Sequence, residues 1–402
     1  MSIADLQELP ELPSNDTFIE IECFQKTKSG QAACGDDFKV EHIDSEERYI
    51  AVLSDGLGSG IKASLLANMT TTMALEFVKS NMDILKSAET IMDTLPVCEY
   101  RKISYATFTV LDILPGGRVR MVEMDNPPYI HLRNNCDLHW DKQVIFSEKW
   151  PDRKLSVSEF RAVQGDRIIF CSDGITQAGL GHAVNKFGWR REGCLEFIQQ
   201  LLARDPAMSA RDLSRAIVAQ ACTKNPGFQC FDDMSCAVVY FRKPRRLRLL
   251  TGPPFRAEND HDFAEMVVGF DGKTIISGGT TANIVSRELK RKITIDLKSM
   301  SSGLPPVSKM AGVDLVTEGI LTLTVVARIL EGESVERSAA VDSMINMLIE
   351  SDVIEFIVGT KVNEAHQDPS LPVDLEIRRN IVKRIKTVLE DKYRKKVIIR
   401  YF

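Results

Sequence analysis

Twice in this chain an apolar run ends in Ser-Asp-Gly: Ala51-Val52-Leu53-Ser54-Asp55-Gly56-Leu57, and Ile168-Ile169-Phe170-Cys171-Ser172-Asp173-Gly174-Ile175. A single Asp-Gly is commonly just a turn, because Asp tolerates turn geometry and Gly supplies positive φ. Two identical arrivals at the ends of strand-like runs are harder to dismiss. Two further acidic sites share the character: Gly35-Asp36-Asp37-Phe38 upstream, and Asp232-Asp233-Met234-Ser235 entering the apolar run CAVVYF. No His or Cys is comparably placed. Carboxylate oxygens suit hard cations such as Mg²⁺ and Mn²⁺, whereas zinc would want imidazole or thiolate. If the four positions converge, a pair of cations about 4 Å apart could share one carboxylate and activate water toward phosphorus.

The elements that must hold these carboxylates can be read from pattern. Residues 49–53, 105–111, 118–123, 167–171 and 235–241 are short, rich in β-branched and aromatic residues and bounded by Gly, Asp or Pro, which predicts strands. Residues 62–80, 191–203 and 210–223 place apolar residues at helical spacing. Strands cluster in runs, which favours an α+β first domain. The basic, Pro-broken stretch Arg242-Lys243-Pro244-Arg245-Arg246 predicts a solvated connector and a boundary near 243. Beyond it, strand, small-residue turn and helix recur: 247–251 before Gly252-Pro253-Pro254 and a helix at 261–268, then 273–277 before Gly278-Gly279-Thr280-Thr281 and a helix at 282–290. With a helix at 318–330, a strand at 353–359, a helix at 376–392 and a closing strand at 396–402, this is read as a smaller α/β domain.

At 402 residues and 44% hydrophobic content the chain can bury two cores. A net charge of −5 gives no global field for nucleic acid or an anionic bilayer, so neither partner is expected. The start, MSIADLQELPELPSNDTF, lacks the positive and apolar regions of a secretory signal. The most apolar stretch, 319–330, is far short of the roughly 20 residues that span a bilayer. A soluble cytoplasmic protein is expected, its nine cysteines, with no CxxC pair, being thiols.

Taken together, GDDF at 35–38, SDGLGSG at 54–60 followed by a helix, YATFTV at 105–110, GDRIIFCSDGITQ at 165–177 and DDMS at 232–235 resemble a known family. It is that of the metal-dependent protein phosphatases of the 2C class (PPM), in their bacterial SpoIIE-type branch, which acts on serine phosphates of sigma-factor regulators. The resemblance spans roughly residues 18–242, in the family's order. It implies a four-layer αββα sandwich of two antiparallel sheets with metals at one end. Residues 1–17 would then be an N-terminal extension, and 243–402 an added domain to which the resemblance assigns no chemistry, regulation being the candidate role. Carried over by position, Asp55 resembles the bridging carboxylate, with the Gly56 carbonyl and Asp36 completing one metal site. Asp173 and Asp232 resemble ligands of the other. Asp36, Asp55, Asp173 and Asp232 would form the catalytic set, with two Mn²⁺ or Mg²⁺ ions as cofactors. Asp37 and Asp233 are adjacent carboxylates, supporting or surface in role. The implied activity is hydrolysis of phosphoserine or phosphothreonine, in a phosphorylated regulatory protein of the anti-anti-sigma type. The helix at 62–80 would be a switch element and part of a homodimer contact; periodicity alone makes Leu65, Leu66, Met69, Met73 and Phe77 core. Where eukaryotic members carry a His after Asp-Gly, this chain has Leu57, as is ordinary in the SpoIIE-like branch. No Arg stands near the first acidic motif to grip a phosphate, and the general acid stays unassigned.

Other features are weaker. Gly56-Leu57-Gly58-Ser59-Gly60 with Lys62 and Ser64 imitates a phosphate loop, but Ile61 and Ala63 break the required spacing, and Glu76 lies inside a helix. His42, His131, His139 and His182 fall at no ligand spacing, and Cys171 reads as a small apolar residue. The loop Gly278, Gly279, Thr280, Thr281 opens a helix whose N–H groups could hold a phosphate or carboxylate, although a capped helix start is simpler. Asp314 and Glu318 fit a solvent-facing helix start. The rival function is a regulatory module: a weak or inactive phosphatase fold whose second domain senses a small anion through the 278–281 loop.

Overall fold

The structure, a computed structural model, describes residues 17–95, 106–182, 186–295, 308–361 and 373–402. Tyr105 and residues 1–16 of the N-terminal extension lie outside the described residues. Two compact units meet at Lys243 and Pro244.

The first unit runs β1 (Phe18–Lys26), β2 (Asp36–Ile43), β3 (Arg48–Gly56), α1 (Ile61–Lys79), α2 (Ile84–Thr94), β4 (Ala106–Leu114), β5 (Arg118–Met124), β6 (Ile130–Arg133), β7 (Cys136–Asp137), β8 (Gln143–Phe146), β9 (Lys154–Arg161), β10 (Arg167–Cys171), α3 (Asp173–Thr176), α4 (Arg190–Arg204), α5 (Ala210–Lys224) and β11 (Met234–Arg242). Two antiparallel sheets form, ordered β2-β3-β4-β5-β9-β8 and β1-β11-β10-β6-β7.

Side-chain alternation builds the layers. In β3, Ile50 and Val52 face α1 and α2, packing with Leu66, Leu75 and Ile91. Ala51 and Leu53 point the other way, meeting Ile168, Phe170, Ala237 and Val239 of the second sheet. On that sheet's far side Ile169, Cys171, Cys236 and Val238 pack against Ile198, Leu213 and Ile217 of α4 and α5. The order is therefore helix, sheet, sheet, helix, the expected αββα sandwich. Each fully buried aliphatic contributes about 1.5–3 kcal/mol, so a one-residue slip of β3 or β11 would forfeit several such terms at once.

The helix at 62–80 corrects one expectation. Leu66 is core, but Leu65 is 62% and Met69 42% exposed, and with Ile61 they make an apolar row one turn apart along α1. Among the histidines, His131 is fully buried, its Nε2 3.0 Å from Asp166 and its Nδ1 accepting from Trp140.

The second unit contains β12 (Arg246–Thr251), α6 (Asp260–Glu265), β13 (Lys273–Ser277), α7 (Gly279–Leu289), β14 (Ile293–Ile295), β15 (Ser308–Met310), β16 (Val313–Thr317), α8 (Ile320–Glu331), α9 (Ala339–Glu350), β17 (Val353–Val358), α10 (Val373–Asp391) and β18 (Lys396–Tyr401). Its sheet is ordered β14-β15-β16-β13-β12-β17-β18, with the run from β16 to β18 parallel. Phe263 of α6 and Val285 of α7 pack with Leu250 and Ile276 on one face. Helices α8, α9 and α10 cover the other, over Leu249, Ile275 and Phe356. This is a doubly wound α/β sheet. Asp314 lies on β16 and accepts the Thr274 N–H at 2.7 Å, so it ties two strands together and does not open a helix. Helix α7 starts at Gly279, earlier than the apolar periodicity marks, because its first turn is polar.

Candidate active site

The first sheet sets two carboxylates face to face. β2 and β3 pair antiparallel in a register that makes Asp36 the direct partner of Asp55, and Asp37 that of Ser54. Directly opposed side chains on one face lie about 4.5–5.5 Å apart at Cβ, and like charges placed so are destabilising. Asp37, one residue on, points to the other face and accepts from the Thr71 hydroxyl of α1. It anchors that helix and is separated from the acidic pair by the sheet itself.

The second sheet supplies the rest from the end of β10 and the entry to β11. Asp173 is the first residue of α3, directly after β10, and Asp232 and Asp233 precede β11. Ser172 and Ser235 stitch these strand ends, since Ser172 N donates to Ser235 O and Ser235 N donates to Ser172 Oγ, both at 3.0 Å. The Ser235 hydroxyl then reaches across the sandwich and donates to Asp36 Oδ2 at 2.7 Å. Gln25 Nε2 donates to Ser235 Oγ at 3.0 Å and fixes it from β1. These partners were not singled out from sequence, although Ser172 and Ser235 sit inside the motifs.

Glycines allow the strand ends to meet. A Cβ on Gly56 would stand 2.2 Å from the Ala63 carbonyl oxygen, and one on Gly174 would stand 2.1 Å from that of Asp233. Neither position has space for a side chain. Gly56 N donates to Gly35 O at 3.1 Å, and the Thr107 hydroxyl donates to Asp55 O at 3.0 Å, so the β3 end is held from both sides.

Electrostatics marks the cluster as unbalanced. Burial, and then the charges of Asp36, Asp173 and Asp232, push Asp55 up to about 10. Asp36 rises to about 7, chiefly through burial, against the stabilising hydroxyls of Ser235 and Ser172. Burial and Asp173 raise Asp232, while Lys28 works in the other direction. Three buried carboxylate oxygens, Asp36 Oδ1, Asp173 Oδ1 and Asp233 Oδ2, have no hydrogen-bond partner among the described residues. The other oxygens are engaged: Gln177 Nε2 donates to Asp173 Oδ2 at 2.8 Å, Lys28 N to Asp233 Oδ1 at 2.9 Å, and Asp233 N to Asp232 Oδ1 at 3.0 Å. Asp233 is 3% exposed and ties the 28–35 segment to β11, so it is not a surface residue.

The structure thus brings Asp36, Asp55, Asp173 and Asp232 within electrostatic reach of one another. Their oxygens do not surround a common point: among the described residues no group of three or more His, Cys, Asp or Glu is arranged to hold a metal ion. The donor chemistry nonetheless fits hard cations, since orphaned, mutually repelling carboxylates are compensated by positive charge and by little else.

Residues 45–242 match the family model described as stage II sporulation protein E (SpoIIE). This stretch is a SpoIIE-type domain of the PPM phosphatase class. Asp36 and Asp37 precede the matched stretch. Among solved structures, the PP2C phosphatase domain with a fragment of the regulatory domain of the cell fate determinant SpoIIE from Bacillus subtilis is 19% identical, with a TM-score of 0.44 over 57% of this chain and 64% of that one. RsbX in complex with magnesium is 16% identical (TM-score 0.37, 58% of this chain and 100% of that one). The catalytic domain of the serine/threonine protein phosphatase PstP in complex with two manganese ions is likewise 16% identical (TM-score 0.37, 56% and 99%). No curated protein matches the chain by sequence. Among the described residues no helix is long and apolar enough to cross a membrane.

Proposed function

We propose that the chain is a metal-dependent protein serine/threonine phosphatase that hydrolyses phosphoserine or phosphothreonine on a regulatory protein of the anti-anti-sigma type. The observation that carries the reading is the cross-strand opposition of Asp36 and Asp55, facing Asp173 and Asp232 at the ends of the other sheet. When bound, two Mn²⁺ or Mg²⁺ ions supply charge compensation and a water nucleophile active at neutral pH. Asp55, Asp36 and the Gly56 carbonyl would hold one ion, Asp173 and Asp232 the other.

The chain's own groups divide the remaining work. Ser235 and Ser172 orient Asp36 so that Oδ1 is presented and Oδ2 is fixed. Gln177 does the same for Asp173, leaving Oδ1 available. Before cations arrive, protons on Asp55 and Asp36 relieve the repulsion, so loading the site displaces them. Lys28 is a cation whose field reaches Asp232. The exposed row Ile61, Leu65, Met69 on the helix that begins beside the site supports its use as a homodimer contact.

The deciding experiment is manganese-dependent hydrolysis of an aryl phosphate and of a phosphoserine peptide by the full chain. Activity that needs Mn²⁺ or Mg²⁺ and vanishes in Asp55→Asn and Asp173→Asn, with folding intact by circular dichroism, is the expected result. Equal turnover in EDTA would sink the assignment.

A further inference from the structure

The second unit holds a second set of unsatisfied polar groups, in which a possible donor accompanies an acceptor. Its parallel strands end in a row of hydroxyls, Thr251, Ser277 and Thr317, which are register partners across β12, β13 and β16. From β13 the chain leaves to α7 on one face of the sheet, and from the adjacent β16 to α8 on the other. In doubly wound sheets ligands bind outside the carboxyl ends of the strands, at the point where the strand order reverses, here between β12 and β17; the starts of α7 and α8 stand on that same carboxyl edge of the sheet.

Two helices begin side by side on this edge, both with glycine caps. Gly278 caps α7 and Gly319 caps α8, and neither start has a side-chain acceptor. The caps abut: a Cβ on Gly319 would stand 3.3 Å from Gly278 Cα, and Gly278 N donates to Thr317 O at 2.9 Å. Gly278 has φ +122°, a conformation that favours glycine. The positive ends of two helix dipoles therefore meet.

A further observation makes this more than a pair of helix ends. Thr281 is only 1% exposed, its hydroxyl has no partner among the described residues, and it lies 3.3 Å from where a Gly278 Cβ would stand, so it is directed into the junction of the caps. In the adjoining loop, Glu318 Oε2 is also buried without a partner, although the Glu318 carbonyl accepts from the Ser277 and Thr317 hydroxyls. One orphan can donate beside converging N–H groups; the other can only accept.

We infer that the junction of the α7 and α8 starts binds a small phosphate monoester that also carries hydroxyl groups, such as a sugar phosphate or a nucleotide. The phosphate is received by the first-turn N–H groups and Thr281, and a ligand hydroxyl is received by Glu318. This site is separate from the acidic cluster and independent of the phosphatase assignment.

The test uses the full chain in EDTA, so that the acidic cluster holds no cation to attract phosphate. Hydrogen–deuterium exchange is followed while AMP or inorganic phosphate is titrated against chloride at equal ionic strength. Both probes should slow exchange in peptides covering 278–285 and 319–326, with the AMP midpoint about tenfold lower or more. Gly279→Asp is the first variant. Nothing lies within 4 Å of its Cβ, and an acidic residue suits a helix start, so the fold is kept while the anion is repelled. It should abolish the protection. Thr281→Val, nearly isosteric, should weaken it about tenfold. The site is refuted if neither probe protects these peptides, or if protection survives in Gly279→Asp. Equal midpoints for AMP and phosphate would overturn the hydroxyl-bearing class.

Discussion

The two units collect unsatisfied polar groups by opposite means. In the sandwich, antiparallel register brings carboxylates from two sheets to one end, and the cluster atoms that lack a partner there, among the described residues, are acceptors. In the second unit, parallel strands deliver backbone donors and a hydroxyl at helix starts. An antiparallel sandwich gathers side chains from chain-distant strands; a parallel sheet gathers main-chain termini. The first arrangement asks for cations and the second for anions.

The largest effect expected from breaking the comparison is on turnover. Asp55→Asn and Asp173→Asn should each lower kcat on aryl phosphate by at least about 100-fold, the upper range seen when only a neighbour of a metal ligand is lost. Asp37→Asn, on the far side of β2, should retain activity within about threefold, its cost falling on the hold of α1. Steady-state kinetics checks both, and equal losses at 37 and 55 would erase the distinction drawn between the two faces.

Next come variants at the close backbone approaches. Gly56→Ala would drive a methyl group to 2.2 Å from the Ala63 carbonyl oxygen, and Gly359→Ala to 2.2 Å from that of Pro253. Each should cost about 1–3 kcal/mol or more in urea titrations, through overpacking. Only Gly56→Ala should also weaken the Mn²⁺-induced rise in Tm.

A buried ion pair gives a stability reference away from both sites. Arg48 clasps Asp112 with Nε–Oδ1 at 2.8 Å and Nη2–Oδ2 at 3.0 Å, both residues being buried. Arg48→Met leaves Asp112 buried without its partner and should cost about 3–5 kcal/mol. Denaturant unfolding measures it.

The pH dependence is smaller and its sign is set by the acidic cluster. Asp36 and Asp55 are raised in the folded chain, so between the unfolded carboxylate value of about 3.9 and their folded values the native state binds more protons than the unfolded one. Stability of the cation-free chain should then fall as pH rises from about 4 through about 7, and further toward 10. Mn²⁺ should raise Tm more at pH 8 than at pH 5. Calorimetric scans in EDTA and in Mn²⁺ check both, and a pH slope that persists unchanged in Asp55→Asn would remove the cluster as the cause.

The smallest effect sharpens the same contrast. Thr281→Val removes an orphaned buried hydroxyl and should leave the unliganded chain equal or more stable by up to about 1 kcal/mol.

Legibility from sequence follows from how local each signal is. Asp55 and Asp173 stood out because apolar strand, Ser, Asp and Gly are consecutive. Most helices were readable from periodicity, and β3, β10 and β11 from near-continuous apolar runs that are buried on both faces. β2 was read only as an acidic site, because Asp36-Asp37-Phe38-Lys39 dilutes its alternation. The opposition of Asp36 to Asp55 depends on register, which no local pattern announces. Ser235 acts on Asp36 across 199 positions, a pairing that only the stacking of two sheets creates. In the second unit the 278–281 loop was visible, but Gly319 was not, because its meaning lies in contact with Gly278 across neighbouring strands.

The Ser235 to Asp36 bond has one more consequence. It rivets one sheet to the other at the mouth of the sandwich, so any sliding of the two layers must first change the spacing of the acidic groups. The separation of Asp36 from Asp173 and Asp232 is thereby tied to the alignment of the two layers.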